Sequence, residues 1–151
     1  MSAESLSLDP TLRPIARALL GRLEGCFDVA VASVARECSV SGKLESAALD
    51  RHQWVSYELA WASADLLAAK TILGTERAAA VLDEALALLF VTEAITAVLA
   101  RLQGVYLAGP IDLSALDALA TDAELRRLRQ HAAGPEAQAA CGRAVAALSG
   151  E

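Results

Sequence analysis

An all-α, up-and-down helical bundle is the fold class predicted for this 151-residue chain. Three observations predict it. Hydrophobic residues make up 55% of the chain and aromatics only 4%, so Ala and Leu carry the apolar content, a mixture suited to closely approaching helices rather than strands. Apolar side chains recur at steps of three and four, and no segment alternates as a strand does. Gly, Pro and capping residues cut the chain into three long segments and two or three short ones, with no internal repeat. Residues 1–9 read as a flexible N-terminus and residues 10–148 as one domain, large enough for a real core.

The first helix is expected from about Pro10 to Glu37. Asp9 serves as N-cap and Pro10 as the first helical residue, although Pro14 allows the start to slip to Arg13. Ile15, Leu19, Leu23, Phe27 and Val34 supply its apolar contacts, while Gly21 and Gly25 weaken its middle or admit another helix. Ser39 to Lys43 forms the first loop.

The second helix covers about Ser46 to Leu73 and ends at Gly74, a suitable left-handed C-cap. It carries both tryptophans and one of the two tyrosines. Trp54, Tyr57, Trp61, Ala64 and Ala68 share one face, and Val55, Leu59, Ala62, Leu66 and Leu73 form a second apolar stripe. Only Arg51, Glu58 and Asp65 make a polar row. So little polar surface predicts that this helix is the centre of the bundle, with Trp61 buried where it crosses its neighbours.

Thr75 caps a third helix, about Glu76 to Leu107, closed by Gly109-Pro110. Two motifs resembling capping boxes follow, Ser114-x-x-Asp117 and Thr121-x-x-Glu124. They predict a short helix near Ala115 and another from about Asp122 to Ala132. Gly134-Pro135 then breaks the chain before a final Ala-rich helix, Glu136 to Leu148.

Charge and hydropathy narrow the function. A net charge of -6 argues against nucleic acid and anionic membrane surfaces as partners, because no basic footprint exists. The most apolar run, Ala85 to Ala100, contains Glu93 and is shorter than the roughly 20 residues that span a bilayer. The N-terminus lacks a basic region before an apolar segment, so it does not read as a secretory signal. Cys26, Cys38 and Cys141 are odd in number and read as reduced, buried thiols of a cytoplasmic protein. A mean hydropathy of +0.39 and the nearly all-apolar third helix leave surface for a second copy or another domain, with Trp54, Tyr57, Trp61 and Phe90 as interface candidates.

Catalytic signatures are missing from the sequence. No phosphate-binding glycine loop, nucleophile elbow or metal-ligand spacing occurs, and His52 and His131 belong to no Glu-x-x-His pair. The reading is therefore no catalytic, cofactor-binding or metal residue in this chain. Arg126, Arg127, Arg129 and His131 make a small basic cluster, read first as a solvated helix face and second as a phosphate contact. Glu93 is the one weak acid/base candidate, lying amid Phe90, Val91, Ile95 and Val98, where an apolar setting would raise its pKa. The competing reading makes it part of a second solvent seam or pairs it with an arginine of a neighbouring helix.

Leu49-Asp50-Arg51-His52-Gln53, followed by Glu58-Leu59-Ala60-Trp61-Ala62, resembles the extra N-terminal helical domain of methylsuccinyl-CoA dehydrogenase-like acyl-CoA dehydrogenases. The long helix before this string and the apolar helix after it also fit. The resemblance implies a bundle similar to acyl-CoA dehydrogenase C-terminal helical domains, packed on a flavoprotein body that oxidises an acyl-CoA at its α and β carbons. FAD and the catalytic glutamate would belong to that body, so neither carries over to any position here. A non-catalytic accessory module is thus the expected function, and a self-associating bundle that binds an apolar ligand or partner helix is the alternative.

Overall fold

Leu12, Ala16, Leu19, Leu23, Cys26 and Ala30 follow one another at steps of three and four, and they form the buried stripe of α1 (Leu12–Glu37). The computed structural model describes residues 7–75 and 80–150; of the expected flexible N-terminus it therefore describes only residues 7–9. The N-cap position is Thr11 rather than Asp9. Asp9 acts two residues earlier, its carboxylate accepting from the Thr11 backbone N–H at 2.9 Å and hydroxyl at 2.6 Å. Pro14 falls within the first turn, where it displaces no helical hydrogen bond.

The expected first loop is a small antiparallel hairpin of β1 (Ser39–Val40) and β2 (Lys43–Leu44). Its two turn residues, Ser41 and Gly42, both have positive φ, at 52° and 77°, as a two-residue hairpin turn requires. The single second helix expected from the sequence is two. α2 (Ser46–Arg51) stops at His52, whose φ of -107° and ψ of 22° leave helical geometry, and α3 (Gln53–Gly74) starts after it. Gly74 does not take the left-handed conformation; the chain leaves through an extended Thr75.

α3 is a peripheral helix, not the bundle's centre. Its buried residues are Val55, Leu59, Ala62, Leu66, Ala69 and Leu73, the aliphatic stripe, while the aromatic stripe faces out. Small and aliphatic side chains let α3 approach its neighbours closely, and large rings cannot be accommodated in such a seam. The centre is α4 (Val81–Ala108), which packs against α1, α3, α5, α6 and α7. The expected start of this helix, Glu76 with its cap Thr75, falls largely on residues 76–79, outside the described residues. Leu88, Val91, Ile95, Val98, Leu102 and Val105 are its buried core positions.

The helix is 28 residues long and apolar enough to cross a membrane, longer than the sequence run suggested, yet half of its most apolar window is buried inside the bundle. A central core helix has that composition for the same reason a membrane helix does, since little of its circumference meets water.

Arginines of α1 secure the α3–α4 connection. Arg13 donates to the carbonyls of Ile72, Leu73 and Thr75 at 3.0, 3.3 and 2.9 Å, and Arg17 also reaches Leu73 O. These carbonyls lack helical partners at a C-terminus, so the guanidinium does there what a glycine cap would have done. The same Arg13 pairs with Glu84 in the first turn of α4 at 2.8 Å, with side chains only 12% and 4% exposed.

After Gly109 the chain forms α5 (Ser114–Ala120), α6 (Ala123–Ala132) and α7 (Pro135–Ser149). Neither expected capping box forms as read, because an aspartate two residues before the receiving N–H takes the role in each. Asp112 accepts from the Ser114 N–H and hydroxyl, and Asp122 accepts from the Glu124 N–H. Leu116, Leu119, Leu125 and Leu128 close the core from this side. Cys26, Cys38 and Cys141 are free and buried, as expected.

Candidate functional site

The aromatic stripe of α3 stands on the surface. Trp54, Tyr57 and Trp61 are 54%, 57% and 47% exposed, contrary to the expectation that Trp61 is buried at a helix crossing. Each ring sits on a support rather than in the core. Trp54 lies over Gly104 of α4, where a Cβ would come within 3.0 Å of the indole, so a glycine makes the seat. Tyr57 meets Trp61 edge to face at 6.2 Å and 70°.

Arg101 holds the second tryptophan. Its guanidinium carbon stands 5.8 Å from the Trp61 ring centroid, a cation–π contact across the α3–α4 seam. Glu58 fixes that guanidinium through a 2.8 Å bond to Nη1, and Asp65 lies 3.9 Å from Nε. Nε itself is buried without a hydrogen-bond acceptor among the described residues. The row Glu58, Asp65 and Arg51, read from the sequence as one polar seam, is thus partly occupied in presenting Trp61.

The surface has the composition of a contact site. Aromatic rings bury about 150–250 Å² each when fully covered, so three half-exposed rings on one helix offer roughly 300 Å² of apolar surface. Phe90 lies on the stripe of α4 that continues through Ala97, Arg101 and Gly104, and it is 39% exposed. The four interface candidates therefore all reach the surface.

A second feature escaped the sequence reading altogether. A partly open cavity of about 520 Å³ lies between α1, the C-terminal end of α4 and α5. Gly25, Cys26 and Val29 line it from α1, facing Ala115, Ala118 and Leu119 of α5. Tyr106 of α4 lies in its wall with the hydroxyl donating to Cys26 O at 2.9 Å, and burial pushes that hydroxyl up to about 12. Charge is confined to Arg22, which is paired with Asp122, and Asp112. Gly25 was legible as a weak point of the first helix or as a place for another helix to approach; a Cβ there would meet nothing within 4 Å, and its role as an opening needed the position of α5.

The titratable candidates are not brought together. Glu93 is exposed on α4, so the apolar environment expected around it does not exist and the solvent-seam reading holds. The buried carboxylate is Glu84 instead, and it is committed to Arg13. His52 lies 3.8 Å from Glu37, and His131 is exposed on α6. In the basic cluster, Arg127 bonds Asp9 at 2.6 Å and Thr11 at 2.8 Å, and Arg129 donates to Thr96 at 3.1 Å. These arginines tie α6 to α1 and α4. Among the described residues no group of three His, Cys, Asp or Glu side chains is placed to hold a metal ion. No protein-family model and no curated protein matches this chain.

Proposed function

We propose that the chain is a non-catalytic helical packing module whose docking surface is the aromatic face of α3, Trp54, Tyr57 and Trp61 with Arg101 behind them. The observation that carries the reading is that both tryptophans stand about half exposed on one helix face, each backed by its own support in α4. Rings that are large, amphipathic and held in place lose little conformational entropy on association, which is why Trp, Tyr and Arg dominate interface energetics. The resemblance of Leu49–Gln53 and Glu58–Ala62 to the accessory domain of flavin-dependent acyl-CoA dehydrogenases supports a dehydrogenase body as the natural partner. FAD would then be bound by that body. Three free thiols favour the reducing cytoplasm as its compartment.

Offered no other surface, the isolated chain covers this face with a second copy. Light scattering of the wild type and of Trp54→Ser/Tyr57→Ser/Trp61→Ser at rising concentration tests the proposal. A concentration-dependent mass above 15.7 kDa that the triple variant abolishes, without loss of helicity, is the supporting result. Association that survives the triple variant refutes the assignment of the face. Retention of stoichiometric flavin by the purified chain refutes the non-catalytic reading.

A further inference from the structure

We propose that the cavity between α1 and α5 is a binding site for a small amine with an apolar body, its ammonium group at the rim beside Asp112. The site is separate from the aromatic face and stands or falls independently of it.

The cavity exists because side chains are withheld. Gly25 occupies the interior of a 26-residue helix, where glycine costs on the order of 1 kcal/mol relative to alanine. No close approach explains it, because a Cβ at Gly25 would meet nothing within 4 Å. Opposite it, Ala115 and Ala118 again present the smallest side chains available to a helix. The floor, by contrast, is fully built: Cys26, Tyr106 and Leu119 are 6%, 2% and 1% exposed. About 520 Å³ is within the range of small-molecule sites, which are apolar with a few polar groups at fixed positions.

The charges at the rim select the head group. Arg22 is already neutralised by Asp122. Asp112 is bonded through one carboxylate oxygen to Ser114, which keeps it ionised and holds it in place, and no cation of the described residues pairs with it. The rim therefore has one uncompensated negative charge in a chain whose net charge is -6, which disfavours a carboxylate ligand and favours an ammonium.

Matched probes test the assignment: 4-phenylbutylamine, 4-phenylbutanol and 4-phenylbutyrate, titrated by calorimetry and by thermal shift. The expected order is amine, then alcohol, then carboxylate, with the amine about fivefold tighter than the alcohol, as one exposed ion pair supplies. Gly25→Leu fills the cavity from a position with open space around its Cβ, and it should weaken amine binding at least about tenfold while raising the ligand-free melting temperature. Ala118→Leu should weaken binding in the same way if Gly25→Leu perturbs the helix. Asp112→Asn should abolish the preference for amine over alcohol. Trp54→Ser/Trp61→Ser should leave binding unchanged. The proposal is overturned if no probe binds the wild type, if the carboxylate binds as well as the amine, if both cavity-filling variants bind normally, or if binding is lost with the tryptophans.

Discussion

Replacing Arg13 with methionine removes the guanidinium that joins three helices. In the native structure it pairs with Glu84 at 2.8 Å and donates to the carbonyls of Ile72, Leu73 and Thr75. Methionine fills most of the volume but leaves the Glu84 carboxylate, 4% exposed, with no counter-charge. Breaking a buried pair by removing one partner costs about 3–5 kcal/mol. The first turn of α4 returns up to about 1 kcal/mol of that, because a helix N-terminus favours a carboxylate. The net expectation is a loss of about 3 kcal/mol, or roughly 6–12 °C in melting temperature for a chain of this length. Arg13→Met/Glu84→Leu removes both charges and should cost less than Arg13→Met alone, leaving mainly the Thr75 carbonyl unmet at about 1 kcal/mol, because Ile72 O keeps the Thr75 hydroxyl and Leu73 O keeps Arg17. Chemical denaturation of the wild type, both single variants and the double variant closes the cycle. A loss below about 1 kcal/mol for Arg13→Met, or strictly additive single changes, would refute the view that this pair clamps the α3–α4 connection.

Three further outcomes follow from the geometry. Trp61→Ala should cost only about 1–2 kcal/mol, the sum of one aromatic pair and one cation–π contact, since the ring is 47% exposed; urea unfolding that gives a core-like loss above about 3 kcal/mol would contradict its placement. Gly134→Ala should destabilise by about 1–3 kcal/mol, because its Cβ would lie 2.4 Å from Gln130 O and backbone must move; thermal melts showing no change would put that tight α6–α7 turn in doubt. Acid should loosen the contacts of Asp9, Asp112 and Asp122, all held below the ordinary value of 3.8 by the bonds they accept, Asp9 at about 2. Their stabilisation is complete above the unfolded value and fades as pH falls through the folded one. Helicity followed from pH 5 to pH 2 should thus fall progressively below about pH 4, and Asp9→Asn should flatten the lower part of that curve.

Periodicity made the helices legible, and it made the wrong face of one of them look buried. α1, α4, α6 and α7 follow their apolar stripes and punctuation to within a few residues where they are described. In α3 two stripes compete, and bulk suggested that the rings would go inside. What decided it was the partner: α4 presents Gly104 and Arg101 where α3 approaches, a seat and a cation for rings that stay at the surface, while Ala62 and Leu66 are buried in the core. That choice depends on two helices at once, so no single-helix pattern contains it. Gly74 misled for a similar reason, since Arg13 and Arg17 from a distant helix satisfy the carbonyls that a left-handed cap would otherwise have served. Glu84 is buried and Glu93 exposed because they fall on opposite sides of α4, one toward α1 and the other toward solvent. The cavity at Gly25 arises only once α5 folds back across α1.

The most direct test of the docking claim is the quenching and emission wavelength of the two tryptophans as concentration rises, read together with the scattered mass. Free rings that are about half exposed should emit at long wavelength and be quenched readily by acrylamide in dilute solution. Docking through this face should give a blue shift and protection from quenching that track the rise in mass, and both the protection and the mass increase should be lost when Tyr57 is changed to Ser together with either tryptophan. A mass of 15.7 kDa and unchanged, fully quenchable emission across the whole concentration range would contradict it.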